Sequence, residues 1–370
     1  MAARSASDVT DSDAPAGPQW FAPGAKARDG SLSLQRRGID HGRVHAGSAA
    51  PAEGGVIATR WAEGEAVLLP GLASAVVQSA RSAIRESLAT FERLREGDSF
   101  LDEIDARLGD DEYFRYAGST VDHADAREIE RLFVDVPGDK DHKRVRDLTA
   151  RLSWIAHDEN DTSLRIRFSF GHESTRDWLT PDRHAAWSDR FAERTFPENA
   201  ALRRLPALRQ TLDSLLAQPW RLSELIVYSN APGGGAVFHH DADPGQRGVV
   251  YAQLDGNTVW LACPRRALAA TAARIGDLDA DAVFRRMEDD GDQSLWTLLN
   301  ATPALTGALA AQGRLFVLQP GDVLLLPSRS AEECCWHSVF GVGRKPSLAH
   351  SMAIFDALPD ELIDPRLRDA

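Results

Sequence analysis

The chain has 370 residues, enough to bury a substantial core in one large domain or two smaller ones, and it carries a net charge of -13. An acidic balance of that size repels a phosphate backbone, which excludes nucleic acid as an expected partner, and no run approaches the roughly 20 apolar residues that span a bilayer. The three cysteines, Cys263 and the adjacent Cys334 and Cys335, suggest no disulfide framework, which fits a reducing, cytoplasmic setting.

Residues 1–58 are rich in Ala, Gly, Ser, Asp and Pro and lack a sustained period, the composition of a flexible lead-in. Trp20 and Phe21 are its candidates for docking on the body, and the N-terminus lacks the apolar run of a signal peptide. Residues 59–370 are expected to form a single domain. Its first ordered piece is an apolar strand at 66–72, closed by Pro70-Gly71. A helix should follow, because Val77, Ile84, Leu88 and Phe91 fall on one stripe of a 3.6-residue period and Gly97 is a suitable stop.

From about 99 to 218 the pattern reads as mostly helical, with Arg- and Glu-rich faces at 129–133, 145–152 and 202–216. The run at 164–170 interrupts it, alternating polar and apolar residues as a strand does. The C-terminal part changes character. Apolar, β-rich runs at 224–230, 248–262, 314–318, 322–326 and 347–355 are punctuated by Gly and Pro turns, the pattern of a sandwich or barrel core over about 220–356. Between them, about 264–312 is Ala-, Asp- and Leu-rich and reads as a helical insertion.

The chemistry is concentrated after the strand ending at Asn230, where Gly233-Gly234-Gly235 leads into Phe238-His239-His240-Asp241. Residues two apart on a strand face the same way, so His239 and Asp241 would both point inward. A second imidazole from a distant strand would complete a 2-His-1-carboxylate facial triad, which leaves coordination positions open for reactants. His337 is the candidate, because it opens an apolar stretch just beyond the Pro320-Gly321-Asp322 turn and the strand to Pro327. His240 with Asp243 is the competing pair, but a spacing of three fits a strand poorly. A lone His-x-Asp is weak in a chain with eleven histidines; the Gly-rich turn before it and the Pro-Gly-Asp element after it raise its weight.

At these residues the sequence resembles the iron(II)/2-oxoglutarate-dependent oxygenase superfamily. Gly256-Asn257-Thr258-Val259-Trp260 after the His-x-Asp, with the Pro-Gly-Asp strand before the distal His337, is similar to the JmjC and cupin-like branch. The strand at 66–72 with its helix is similar to the opening of the phytanoyl-CoA-hydroxylase-like branch. The resemblance spans about 66–355, with its specific motifs from 225 onward. It implies an α+β chain built on a double-stranded β-helix (a cupin-like jelly roll) with flanking helices, with iron(II) on His239, Asp241 and His337. It also implies 2-oxoglutarate and dioxygen as cosubstrates. In many of these families a Lys or Arg beyond the distal His, with Ser two residues later, binds the far carboxylate of 2-oxoglutarate, and Lys345-Pro346-Ser347 matches that pair in kind. Lys345 lies eight residues beyond His337, closer than the usual spacing, and Arg344 is the alternative. In the JmjC branch the anchor is a Lys on the strand after the His-x-Asp, where this chain has Thr258.

Tyr228 and Asn230 alternate on the strand before the metal pair, so they could hydrogen-bond the oxo acid or a ligand, or simply be buried and satisfied by backbone. Arg165 and Arg167 share one face of an alternating strand; directed inward they would favour an anionic substrate, directed outward they are a solvated edge. Trp260 and Trp336 read as core, and Cys334 and Cys335 as small buried residues rather than extra ligands. The expected activity is hydroxylation of a small-molecule or peptidyl substrate, and Asp241 argues against halogenation, since the halogenases of this resemblance carry a small residue there. The alternatives are a cupin-like metalloenzyme independent of 2-oxoglutarate and a non-catalytic jelly-roll binding module.

Overall fold

A computed structural model describes residues 31–45, 55–109, 111–122, 129–155, 165–172, 183–289, 291–359, 361 and 363–367. Trp20 and Phe21 lie outside the described residues. The chain opens with a hairpin of β1 (Ser31–Arg36) and β2 (Ile39–His45), followed by α1 (Val56–Ala62), β3 (Val67–Leu69), α2 (Ser74–Ser79), α3 (Arg81–Glu96) and α4 (Phe100–Leu108). A meander of β4 (Arg115–Asp122), β5 (Ile129–Val136), β6 (Val145–Ile155) and β7 (Arg165–His172) leads to α5 (Arg183–Thr195), α6 (Glu198–Arg203) and α7 (Pro206–Leu215). Then come β8 (Trp220–Asn230), β9 (Gly235–His239), β10 (Gln246–Asp255) and β11 (Asn257–Pro264). The insertion consists of α8 (Arg265–Gly276), α9 (Ala280–Arg286), α10 (Gln293–Asn300) and α11 (Pro303–Ala311). The chain closes with β12 (Leu315–Leu318), β13 (Val323–Pro327), β14 (Cys335–Val342) and β15 (Ser347–Asp356).

The class is α+β, with mixed helices and antiparallel sheet. A nine-stranded sheet runs β3-β13-β10-β15-β8-β7-β6-β5-β4, and a four-stranded sheet runs β12-β11-β14-β9. The two pack face to face through Leu68, Val249, Tyr251 and Leu326 on one side and Ala236, Trp260, Phe316 and Val339 on the other. From β8 to β15 the chain crosses repeatedly between them, so β9 and β14, neighbours in the small sheet, come from stretches nearly a hundred residues apart. The outer face of the large sheet buries Leu152, Phe168 and Val227 against Phe91, Trp187 and Phe196 of the helices. The outer face of the small sheet is covered by the insertion and by the opening hairpin, through Val259, Leu268, Leu305 and Leu34. The large sheet extends four strands beyond β8, and β4 is its last.

Two expectations are corrected. Residues 31–45 fall in the expected flexible lead-in, yet they form a hairpin that buries Leu32, Leu34 and Arg36 from alternate positions of β1. The period of two was too short to stand out in polar surroundings. The runs at 129–133 and 145–152 are strands, not helices. Val145, Leu148 and Leu152 imitate a helical stripe because Asp147, at φ 58, adds a residue to the ladder between Val145 and Leu148. Beyond that bulge Leu148, Ala150 and Leu152 are buried with strict alternation. The expected helix after 72 is present as α2 and α3, the latter stopped by Gly97 at φ 100.

Candidate metal centre

β9 carries His239 as its last residue, and the ladder sets it opposite His337 on β14. The approach is close. A Cβ on Gly235 would lie 2.0 Å from the Val339 carbonyl oxygen, and Gly235 sits at φ 127, so only glycine lets the two strands meet at this spacing. The imidazole centroids are 4.2 Å apart. Asp241 lies two residues past the end of β9, and its carboxylate turns back to within 3.7 Å of His239 Nε2 and 3.5 Å of His337 Nε2. One donor atom from each of the three lies within 4.8 Å of the others, and among the described residues no other His, Cys, Asp and Glu group of this kind converges.

The tautomers are fixed from behind. His239 Nδ1 donates to the Val237 carbonyl at 2.8 Å and His337 Nδ1 to the Cys335 carbonyl at 3.3 Å. A carbonyl only accepts, so each neutral ring carries its proton on Nδ1 and turns the Nε2 lone pair toward Asp241. Trp260 stacks on His337 with centroids 5.2 Å apart and planes at 28°. Burial opposes ionisation of Asp241, but the positive charge that His337, His239 and His240 carry when protonated, with that of Arg167, outweighs it and holds its carboxyl below the usual carboxylate range. A carboxylate and two oriented imidazoles on one side of a small space are a donor set for a divalent transition metal.

Arg36, from the opening hairpin, braces the two ligand strands. Its guanidinium donates to the Ala236 carbonyl at 2.7 Å, to the Ser338 hydroxyl and to the Asn300 carbonyl at 3.3 Å. Asn300 also accepts from the Phe238 amide at 2.7 Å. These groups hold the backs of the residues next to His239 and His337. Arg36 escaped the sequence reading, although the alternation Leu32, Leu34, Arg36 was its signal.

Two cavities meet at His239. The one between the sheets is lined by Tyr228, Asn230, Tyr251, Trp260, His337 and Ser351, among others, and holds about 20 Å³. That is room for roughly one water, so a larger ligand enters only as the aromatic rings shift. The other holds about 210 Å³ on the insertion side, between His239, Met287, Leu295, Trp296 and Trp336.

The remaining expected residues are distributed as follows. Tyr228 and Asn230 line the inner cavity, and the buried Asn230 Oδ1 has no hydrogen-bond partner among the described residues. Ser347 is fully buried, but its hydroxyl donates to the Asn230 carbonyl at 3.4 Å and is not in the cavity wall. Lys345 and Arg344 are exposed in the turn between β14 and β15 and do not line the cavity. Pro346 has no N–H to give a ladder, and the strand begins only at Ser347. Thr258 is buried and occupied, donating to Gln253 Oε1 at 2.8 Å while accepting from Trp260 Nε1. Arg165 pairs with Asn230 in the ladder, its side chain lying outside the described residues, and Arg167 pairs with Tyr228. His240 turns away to Glu288 at 3.2 Å, and its ring lies 5.2 Å from Trp336 with the planes tilted by 56°. Burial pushes the thiols of Cys263 and Cys334 up to about 12 and that of Cys335 well above its usual value, so none offers a thiolate. No helix among the described residues is long and apolar enough to cross a membrane.

No family model matches the sequence, and no curated protein matches it. Among solved structures, the chain is similar to the non-heme alpha-ketoglutarate-dependent epimerase SnoN from nogalamycin biosynthesis, at 15% identity over 81% of this chain and 80% of that one, with a TM-score of 0.34. It is similar to SnoN in complex with Fe3+, alpha-ketoglutarate and nogalamycin RO, at 15% identity over 84% and 91% with a TM-score of 0.34. A 2OG-Fe(II) oxygenase family oxidoreductase from Burkholderia pseudomallei is similar at 12% identity over 83% and 92%, again with a TM-score of 0.34.

Proposed function

We propose that this chain is an iron(II)- and 2-oxoglutarate-dependent oxygenase on a double-stranded β-helix, hydroxylating an unactivated carbon of a small-molecule or peptidyl substrate. One observation carries it: His239, Asp241 and His337 present three donors within 4.8 Å of one another. Bound there, iron(II) with 2-oxoglutarate and dioxygen supplies an oxidant able to remove hydrogen from carbon. The chain's own contribution is positional. Val237 and Cys335 hold the imidazole tautomers through their carbonyls, and Asp241 stays ionised and supplies the anionic ligand. Trp260 stacks on the His337 ring, and the cavity beside Trp296 and Trp336 gives substrate a route to His239. The unpaired, buried cysteines suit a reducing compartment.

A cupin-like metalloenzyme that needs no 2-oxoglutarate is the second reading, favoured by the small inner cavity and by a wall with no Lys or Arg among the described residues. Succinate release separates the two. Protein mixed with iron(II), 2-oxoglutarate and air should form succinate slowly even without substrate, and Asp241→Ala should abolish it while lowering manganese(II) affinity more than about 100-fold. Metal binding without any succinate would favour the second reading.

A further inference from the structure

We infer that the cavity between the helical insertion and His239 holds the reacting part of the substrate, and that this part is a flat apolar ring group without negative charge. The inference rests on the proposed metal-centred reading and names the substrate class that reading leaves open. Of the three donors His337 is buried, whereas the side chains of His239 and Asp241 are each 38% exposed, so the centre opens toward the end of β9. Phe238 and His240 flank His239 and turn toward the insertion, and the cavity of about 210 Å³ lies where they meet it.

The apolar part of its wall is Phe238, Met287, Leu295, Trp296, Leu299 and Trp336. All of these are buried except Trp296. α10 turns Leu295 and Leu299 into the core, which leaves the Trp296 indole 37% exposed at the cavity. A large ring carried by a helix yet left uncovered is a surface for stacking, and Trp336 supplies a second indole in the same wall. Charge narrows the class further. Glu288 is bound by Arg265 at 2.6 Å and by His240 at 3.2 Å, and the Arg286 guanidinium is bound by Asp292. The Asp289 carboxylate accepts the Gly291 amide at 3.0 Å and has no cation partner among the described residues. Among those residues the wall thus offers no unpaired cation, and an anionic group drawn into it would lose its hydration without gaining a partner. Arg167, which directed inward would favour an anionic substrate, is in the wall of neither cavity. A neutral ring avoids that cost, and a cationic one gains from the indole faces.

The test titrates the protein, loaded with manganese(II) and separately with zinc(II), with indole, tryptamine and indole-3-acetate, following the proton relaxation of each probe by NMR. Indole and tryptamine should bind, and their protons should relax much faster in the manganese(II) form, because the paramagnetic ion lies beside the cavity. Indole-3-acetate should bind more than about 5-fold more weakly than indole. Trp296→Ala should weaken indole about 10-fold, the scale of one aromatic contact and the surface it covers, and manganese(II) affinity measured on the same variant reports that the donors are intact. Absence of binding, equal relaxation with the two metals, or undiminished binding by Trp296→Ala each overturns the site, and indole-3-acetate binding as tightly as indole overturns the charge preference. Probe binding at a centre that forms no succinate from 2-oxoglutarate overturns the oxygenase reading and leaves the cavity assignment standing. Succinate formation without probe binding does the reverse.

Discussion

At the scale of single residues, Gly235 decides whether the centre exists. An added methyl meets the Val339 carbonyl, and the backbone is in a region that disfavours side chains. Gly235→Ala should lower stability by about 2–5 kcal/mol in urea unfolding and weaken manganese(II) binding with it. A variant as stable as wild type would show that the strands separate at no cost. Asp364 is a second decisive residue, far from the metal. It accepts from Trp187 Nε1 at 3.0 Å and from Arg366 Nε at 3.1 Å; burial opposes its ionisation, yet these partners lower its pKa to about 2. A carboxyl depressed in the folded state stabilises above its unfolded value near 3.9 and stops doing so as pH falls through about 2. Asp364→Asn should therefore cost on the order of 2 kcal/mol at pH 6, and the gap to wild type should narrow from about pH 4 downward. A gap independent of pH would assign the effect to hydrogen bonding alone. The convergence of His239 with Asp241 was legible because His-x-Asp is a local, two-residue relation. The exposure of Lys345 was not, because it lies in a turn whose shape depends on where Pro346 lets the strand begin.

At the scale of elements, the opening hairpin acts as a brace behind the metal strands. Its guanidinium satisfies the Ala236 and Asn300 carbonyls and the Ser338 hydroxyl together. Arg36→Ala removes the guanidinium donor from the Asn300 carbonyl and leaves the Ala236 carbonyl only the Ser338 hydroxyl, at about 1–3 kcal/mol for each bond lost before relaxation. We expect a lower melting temperature together with a weaker metal affinity, read by calorimetric titration with manganese(II). Lost stability with unaltered metal affinity would reduce the hairpin to packing. The hairpin was invisible in composition because six alternating residues do not outweigh their polar neighbours. β6 was misread for the opposite reason: one left-handed residue, Asp147, shifted an apolar set from period two onto a helical spacing. Both errors arise where a single backbone conformation changes the register of a pattern that is otherwise plain.

At the scale of the whole molecule, the C-terminal strands and the helical insertion could be read in sequence because each keeps one period over its length and is bounded by Gly or Pro. What no periodicity announces is pairing between distant stretches, and it is pairing that carries the nine-stranded sheet outward from β8 to β4. That extension has a colloidal consequence. β4 ends the sheet with eight residues, includes Tyr116 at 56% and Val121 at 48% exposure, and has no strand among the described residues along its far side. Such a margin is a template for lateral adhesion between copies. Light scattering of concentrated wild-type protein should reveal reversible clustering that Val121→Lys suppresses without altering the melting temperature, and a wild type that stays monodisperse would dismiss the idea. A chain that spends backbone on widening its sheet thereby accepts a ceiling on how crowded it can be.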